Sequence, residues 1–504
     1  MKITLILFAL LLSSSSLFAQ GRHYNSRSLG MGGGGTAYVN GYDANFINPA
    51  NLMLKNHRNN TQIGILPFGL QSGGTLANLS VYNEYFTDGL SLSFLDQSGQ
   101  PGLGQQALND WFGSSSSNTR ELSTTISTIG LGVSHRGKKQ AFSLAVRSRF
   151  DIQTTLNKGL AELAVYGLDS RHFSDGVPVN FEFTGAGFTE VSVGYARQVL
   201  ALPNLLFARN IKVFAGVAPK YIVGLQAGTA QLTSDLTVAT GGSEIDHQFS
   251  YTGTFYGDLA DEFRSYADAR NAAILADQDT PDFEVFDNYD GGDVGTVGSG
   301  FGVDLGATAT MDISGVPLLP GFLGKKKTLI LSMSVTDLGA VTFDDRPTNI
   351  AADGVFEFRG ATGSETIEDY FDNLADSLEN DVYGGFTAEN GEELEYELPG
   401  MYNFGAALTT GKFTTSVDYG FGFNGNGVNS RRSVLNLGLE YRFFNFLPIR
   451  TGMRVGGFSS TAYSFGTGLD LRFLEFSFSV ANVGNSENNG SAGAVAFSGL
   501  VFRF

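Results

Sequence analysis

The sequence predicts an all-β protein, a transmembrane antiparallel β-barrel. Three observations lead there: a sustained two-residue hydropathy period, no apolar stretch long enough to span a membrane as a helix, and abundant glycine and aromatics without cysteine. The period is clearest toward the carboxyl terminus. Leu435, Leu437, Leu439, Tyr441 and Phe443 are apolar, while Asn436, Gly438, Glu440 and Arg442 between them are small, polar or charged. The pattern returns in Tyr463, Phe465, Leu469, Leu471 and Phe473, and again in Phe476, Phe478 and Val480. Alternate side chains of a strand point to opposite faces. Repeated segments of about ten residues, apolar outward and polar inward, are what a barrel in lipid requires.

At the amino terminus Lys2 precedes an apolar run from Ile3 to Leu12, then serines, then Leu17-Phe18-Ala19. This reads as a secretory signal peptide over residues 1–19. The run is shorter than the roughly 20 residues of a spanning helix, so any membrane crossing must be made by strands. An exported chain without cysteine uses neither disulfides nor thiolate chemistry. The 66 glycines suit tight turns and crowded interiors, and the 42 phenylalanines and 19 tyrosines suit strands and membrane interfaces.

Charge locates two insertions, near residues 258–293 and 344–397. Together they hold 27 of the 50 carboxylates and 4 of the 32 basic residues, so they carry −23 and the remainder +5. Like-charge blocks are usually solvated, and these read as acidic external loops. Acidic surface disfavours nucleic acid as a partner.

Residues 20–55 have turn chemistry and no sustained period. They contain Ser28-Leu29-Gly30-Met31-Gly32-Gly33-Gly34-Gly35 and then Asn45-Phe46-Ile47-Asn48-Pro49-Ala50-Asn51. Read from the residues, Asn48-Pro49-Ala50 is a turn before the first strand. The pair of motifs resembles the amino-terminal region of the FadL-type long-chain fatty acid transporters and of the related PorV-like barrels of bacteroidetes, with Asn51 where those commonly have glycine. The resemblance implies a barrel of about 14 strands over residues 56–504, filled by a plug to which Gly30, Met31, Gly32, Asn48, Pro49 and Ala50 belong. A barrel of that width is open unless something fills it, and irregular backbone is tolerated at membrane depth when enclosed by protein.

Strand candidates follow at Gln62 to Leu70, Ile126 to Val133, Ala141 to Phe150, Glu190 to Tyr195, Lys212 to Leu225, Gly300 to Ala309, Leu329 to Val335, Tyr402 to Leu408 and Phe413 to Phe423. The phrases Thr189 to Tyr195 and Ser334 to Gly339 resemble those of an uncharacterised bacteroidete barrel family of the same type. Short helical faces lie between strands: Leu108, Trp111 and Phe112; Leu259, Phe263, Tyr266 and Ile274; and Ile367, Tyr370, Phe371, Leu374 and Leu378. Such faces cap the barrel mouth or fold back on their own loops.

No enzymatic motif emerges. The five histidines are scattered without metal spacing, and Ser134 and His135, as neighbours, point to opposite faces of a strand. Asp287 to Asp293 has calcium-loop flavour but lacks the closing glutamate. Neither a cofactor nor a metal is expected.

In a barrel, charges on the lipid face near the midplane cost about 2–4 kcal/mol for Arg or Lys. Arg147, Arg149, Asp418, Glu440, Arg442, Arg450, Arg454, Asp470, Arg472 and Glu475 are therefore expected to face the lumen. There they pair with one another and hold the plug, or attract the carboxylate of an amphipathic substrate. Gly499, Phe502 and Phe504 match, by the same resemblance, the signal read by barrel-assembly machinery.

The expected function is passive passage of a hydrophobic or amphipathic small molecule through a barrel in the outer membrane. Two rivals stand: a non-transporting, PorV-like partner of a secretion or surface-assembly system, and a soluble secreted β-sandwich, since period-two strands alone do not distinguish sheets.

Overall fold

A computed structural model describes residues 25–55, 60–81, 84–85, 102–166, 170–205, 208–238, 245–276, 278, 281, 295–316, 326–355, 383–426, 429, 431–457, 461–483 and 491–504. The expected signal peptide over residues 1–19, the Asp287–Asp293 run and the Ile367–Leu378 face lie outside these residues.

The strands form one antiparallel sheet closed on itself. β1 (Thr61–Ile65) and β2 (Phe68–Gly74) make the first wall strand in two pieces. Next come β3 (Thr119–Arg136), β4 (Gln140–Asn157), β5 (Val177–Leu205) and β6 (Ala208–Val238). β7 (Ile245–Phe255) leaves the wall, which resumes with β8 (Gly298–Asp312) and β9 (Lys327–Phe343). β10 (Thr348–Val355) and β11 (Tyr383–Asn390) leave it again. β12 (Leu394–Glu397) and β13 (Met401–Thr410) together pair along β9. The circuit runs on through β14 (Phe413–Gly422), β15 (Val434–Phe443), β16 (Leu447–Gly456), β17 (Ala462–Asp470) and β18 (Leu474–Val483). The last wall strand is again split, into β19 (Ser491–Phe497) and β20 (Leu500–Arg503). Closure pairs Gln62 with Arg503, Ile65 with Leu500 and Gly74 with Ser491. The result is a closed 14-stranded barrel.

Its polarity is the reverse of a water-soluble protein's. Along β4 the buried residues are Ala141, Ser143, Ala145, Arg147, Arg149 and Asp151, while Phe142, Leu144, Phe150 and Ile152 are exposed. The same inversion holds for Val193, Phe301, Met333, Phe404, Val417, Leu439, Phe465 and Val480 around the circuit. In a β-sandwich these apolar faces would be pressed against a second sheet. Here there is one sheet, and they form its outer surface.

The expected strand Gln62 to Leu70 is broken. Leu66 adopts φ 53° and Pro67 lacks a backbone N–H, so the ladder stops; the neighbouring wall strands yield at the same level, with Gly499 at φ 60° and a register shift in β3 between Ile129 and Leu131.

One end carries short turns, such as Gly411-Lys412 between β13 and β14, together with the carboxyl terminus. Long connections gather at the other end. There the second acidic insertion is not wholly loop: β10 and β11 extend a sheet from β6 through β7, and β12 belongs to the wall. The helix Asp258–Leu275 from the first insertion folds back on this sheet, with Phe263 stacked on Phe255 at 4.6 Å and Tyr266 edge-on to Phe386 at 5.2 Å. Its acids stay outside, where Arg346 pairs with Asp258 at 2.9 Å and also with Asp261.

Candidate functional site

The interior is occupied by the amino-terminal segment. Nearly every residue from Asn25 to Leu54 is buried, although the segment is only a short helix, Ser26–Gly30, and two 3₁₀ turns, Gly41–Phe46 and Pro49–Met53. With so little regular structure its backbone groups need other partners, and side chains supply many of them. Asn25 caps the first helix by accepting from the Ser28 N–H at 2.7 Å. Asn48 accepts from the Ala50 N–H at 3.1 Å and donates to the Thr36 carbonyl at 2.9 Å. Asn51 donates to the carbonyls of Thr36 and Val39, both at 2.9 Å. Asparagine, not the glycine of the resembling proteins, is thus the residue that ties this turn together.

Contacts to the wall are equally polar. The Gly35 and Thr36 N–H groups donate to Asp418 at 3.2 and 2.8 Å. Gly32 N–H donates to Ser464 at 2.9 Å, Ser334 to the Ile47 carbonyl at 2.7 Å, and Ser479 to the Ser26 carbonyl at 2.6 Å. Gly30, Met31 and Gly32 run across β15, β16 and β17. Gly32 has φ 87°, and a β-carbon on it would lie 2.7 Å from the Leu437 carbonyl oxygen. Pro49 and Ala50 lie beside Gly216, and Ala50 also packs with Leu52 and Phe214.

Two ionic clusters flank the segment. On one side, Glu440 accepts from Arg27 at 3.1 Å, Arg450 at 2.8 Å and Arg442 at 3.2 Å. Arg442 and Arg503 each reach Asp470 at 2.6 Å, and Glu475 pairs with Arg503. On the other side, Arg147 pairs with Glu190, and Arg149 lies 3.3 Å from Asp337 and 3.4 Å from Asp151. Lys220 joins Asp304 at 2.8 Å, Glu190 at 3.4 Å and also Asp337. The plug touches this cluster through Phe46, whose ring lies 4.1 Å under the Arg147 guanidinium. Buried charges demand such pairing, because an unpaired one costs several kcal/mol.

Nine of the ten charges expected in the lumen are carried by wall strands with inward or largely buried side chains; Asp418 meets the plug backbone, and Arg454 is 4% exposed beside Asn436 and Ala462 in register. Arg472 departs from the expectation. It sits in the turn after β17 at φ 56°, exposed, because the strand ends at Asp470 and its alternation does not extend into the turn. Gly499 occupies the kink between β19 and β20. Phe502 pairs with Ile63, and Phe504 is 68% exposed while its carbonyl accepts from the N–H groups of Asn60 and Thr61, both at 3.0 Å.

The expected set left out Glu190, Lys220, Asp304, Asp337 and Arg27. The first three obey the same two-residue period and were findable by it. Asp337 was not: it sits in a bulge at φ 55°, where its N–H donates to Asp304 at 2.5 Å.

Toward the long-loop end, an apolar cluster of Phe188, Ile222, Val341, Phe343, Tyr396 and Leu398 covers the second ionic cluster, and the Tyr396 hydroxyl donates to Asp151 at 3.0 Å. At the short-turn end a cavity of about 690 Å³ lies beneath the plug. Met53, Leu54 and Lys55 of the plug face it, as do Arg136, Lys212, Phe214, Met311 and Lys412 of the wall.

A closed wall, an apolar outer belt and a polar interior filled by the chain's own amino-terminal segment define a plugged transmembrane β-barrel. The chain belongs to the family of unknown function DUF5723, whose model matches residues 94–482. No curated protein matches it in sequence. Among solved structures it is similar to the toluene transporter TodX of Pseudomonas putida, at 11% identity and TM-score 0.45, over 96% of this chain and 99% of that one. A TodX variant described as a monoaromatic hydrocarbon channel gives 12% identity and TM-score 0.47, over 95% and 99%. A FadL homologue of Pseudomonas aeruginosa gives 11% identity and TM-score 0.42, over 97% and 100%.

Proposed function

We propose that this barrel sits in the outer membrane and passes a hydrophobic or amphipathic small molecule, with the plug as the moving part. The observation that supports it is the plug itself. Residues 25–54 are held to the wall by hydrogen bonds to a few side chains, Asp418, Ser464, Ser334 and Thr308 among them, by the Arg27–Glu440 ion pair and by apolar packing such as Phe46 with Ile129 and Ala145, above a cavity at the short-turn end. The neutral contacts among these are replaceable by water at about 1 kcal/mol each and those to the Asp418 carboxylate at about 1.5–3 kcal/mol each, and on this reading passage displaces the plug. The short-turn end with the carboxyl terminus would then face the periplasm, and the acidic insertions the cell exterior. Gly499, Phe502 and Phe504 would present the assembly signal.

The test is uptake. Cells producing the protein should accumulate a hydrophobic tracer faster than cells producing a variant in which cysteines at Gly34 and Asp418, whose β-carbons face each other, are bridged to lock the plug. Equal uptake by both would count against passage.

A PorV-like partner role remains the second reading, favoured by an interior so fully occupied with paired charge. Co-purification of the native protein with a large secretion complex would support it over passage.

A further inference from the structure

The ionic clusters and the cavity at the short-turn end treat charge differently. Within the two ionic clusters, bases are set against acids. In the cavity, Lys138, Lys212, Lys326 and Lys412 have no ion pair among the described residues. Of the acids lining the same cavity, Glu440 is engaged by Arg27, Arg442 and Arg450, while Asp312, which accepts from the Ser314 N–H at 2.9 Å, keeps its negative charge near Lys326. Strand register gathers these amines. Lys327 lies opposite Thr410, which brings Lys326 and Lys412 to one stretch of rim, and Lys212 lies opposite Thr310.

Solvent-exposed amines of one sign around the open mouth of a partly apolar chamber repel one another and raise the potential within it. A single carboxylate would offset only one of them. Lysine also lacks the guanidinium fork that fixes a planar partner, so the site selects by charge more than by shape. Between the amines, Phe214, Met311 and Ile330 give the chamber an apolar wall.

We propose that this vestibule is a binding site for a small anion carrying two or more negative charges, a phosphate ester or a polycarboxylate with a short apolar portion. Plug and wall form the site together as the structure shows them, and its binding is read apart from passage.

The experiment is titration calorimetry on the full-length protein in non-ionic detergent, with pyrophosphate, citrate and acetate as probes. Pyrophosphate, citrate or both should bind at low ionic strength, with acetate weaker by about tenfold or more, and binding should vanish near 1 M salt, where the screening length is about 3 Å. Binding by one probe alone would assign the site to phosphate or to carboxylate. The triple variant Lys212→Gln, Lys326→Gln, Lys412→Gln should weaken it by about tenfold or more, while Arg346→Gln at the opposite end should not change it. Should the triple variant fail to fold, protection of the wild-type lysines from an acylating reagent by pyrophosphate, read by mass spectrometry, gives the same answer. No binding of either multivalent anion, acetate as strong as pyrophosphate, or absence of lysine protection would overturn the proposal. Passage would be untouched by that result, since it is read by uptake in the plug-locked variant.

Discussion

The carboxylate of Asp418, on β14, accepts the backbone N–H of Thr36 at 2.8 Å in the middle of the plug, and Gly35 N–H at 3.2 Å joins it. Hydrogen bonds to a charged acceptor contribute about 1.5–3 kcal/mol each. Asp418→Ala should therefore loosen the plug by about 3 kcal/mol or more while the wall still closes. Hydrogen exchange of residues 25–54 should rise, and heat-modifiable gel migration should stay as in the parent. Unchanged exchange would mean that the plug is anchored elsewhere.

A β-carbon on Gly452 would lie 2.1 Å from the Gly32 nitrogen, with only backbone there to yield. Gly452→Val should displace the plug, whereas Gly493→Ala, which meets nothing within 4 Å, should be silent. Overpacking of this kind typically costs about 1–3 kcal/mol. Proteolytic release of the amino-terminal segment from the intact barrel would measure the difference.

Lys220 stands among Glu190, Asp304 and Asp337. Lys220→Met should destabilise the barrel by about 3–5 kcal/mol, since it leaves buried Asp304 without its base while Glu190 and Asp337 keep Arg147 and Arg149. Adding Asp304→Asn, which removes the charge left unpaired, should recover part of the loss. A thermal melt of the double variant no higher than that of the single one would contradict the pairing.

Outside the wall, Glu162 lies 3.3 Å from Lys158 and 3.3 Å from His172. Burial alone would raise its carboxyl, but the close contact with His172 and the neighbouring Lys158 outweigh burial and hold it below the usual carboxylate range. A depressed acid contributes stability above its unfolded value, and that contribution is lost as pH falls through the folded value. Hydrogen exchange in residues 158–173 should thus accelerate below about pH 4, and Glu162→Gln should remove this acid-side step.

Wall strands were legible because a two-residue period survives any register. The inward charges were legible by the same rule, and it failed where the backbone leaves the period: at Asp337 in its bulge, at Arg472 in its turn, and at the Leu66-Pro67 break. The plug had no period to read. Its asparagines act through backbone groups of distant residues, and Arg27 finds Glu440 across more than four hundred positions, a pairing no local pattern encodes.

The central claim is that apolar side chains at every second position face lipid around a closed wall whose interior is polar. A chain without cysteine allows clean single-site labelling. Nitroxides placed in turn at positions 141 to 146 of β4, in reconstituted bilayers, should show accessibility to lipid-soluble oxygen at Phe142, Leu144 and Val146 and shielding at Ala141, Ser143 and Ala145. Water-soluble relaxant reaching Leu144 as freely as a surface loop, or accessibility without a two-residue period, would contradict it.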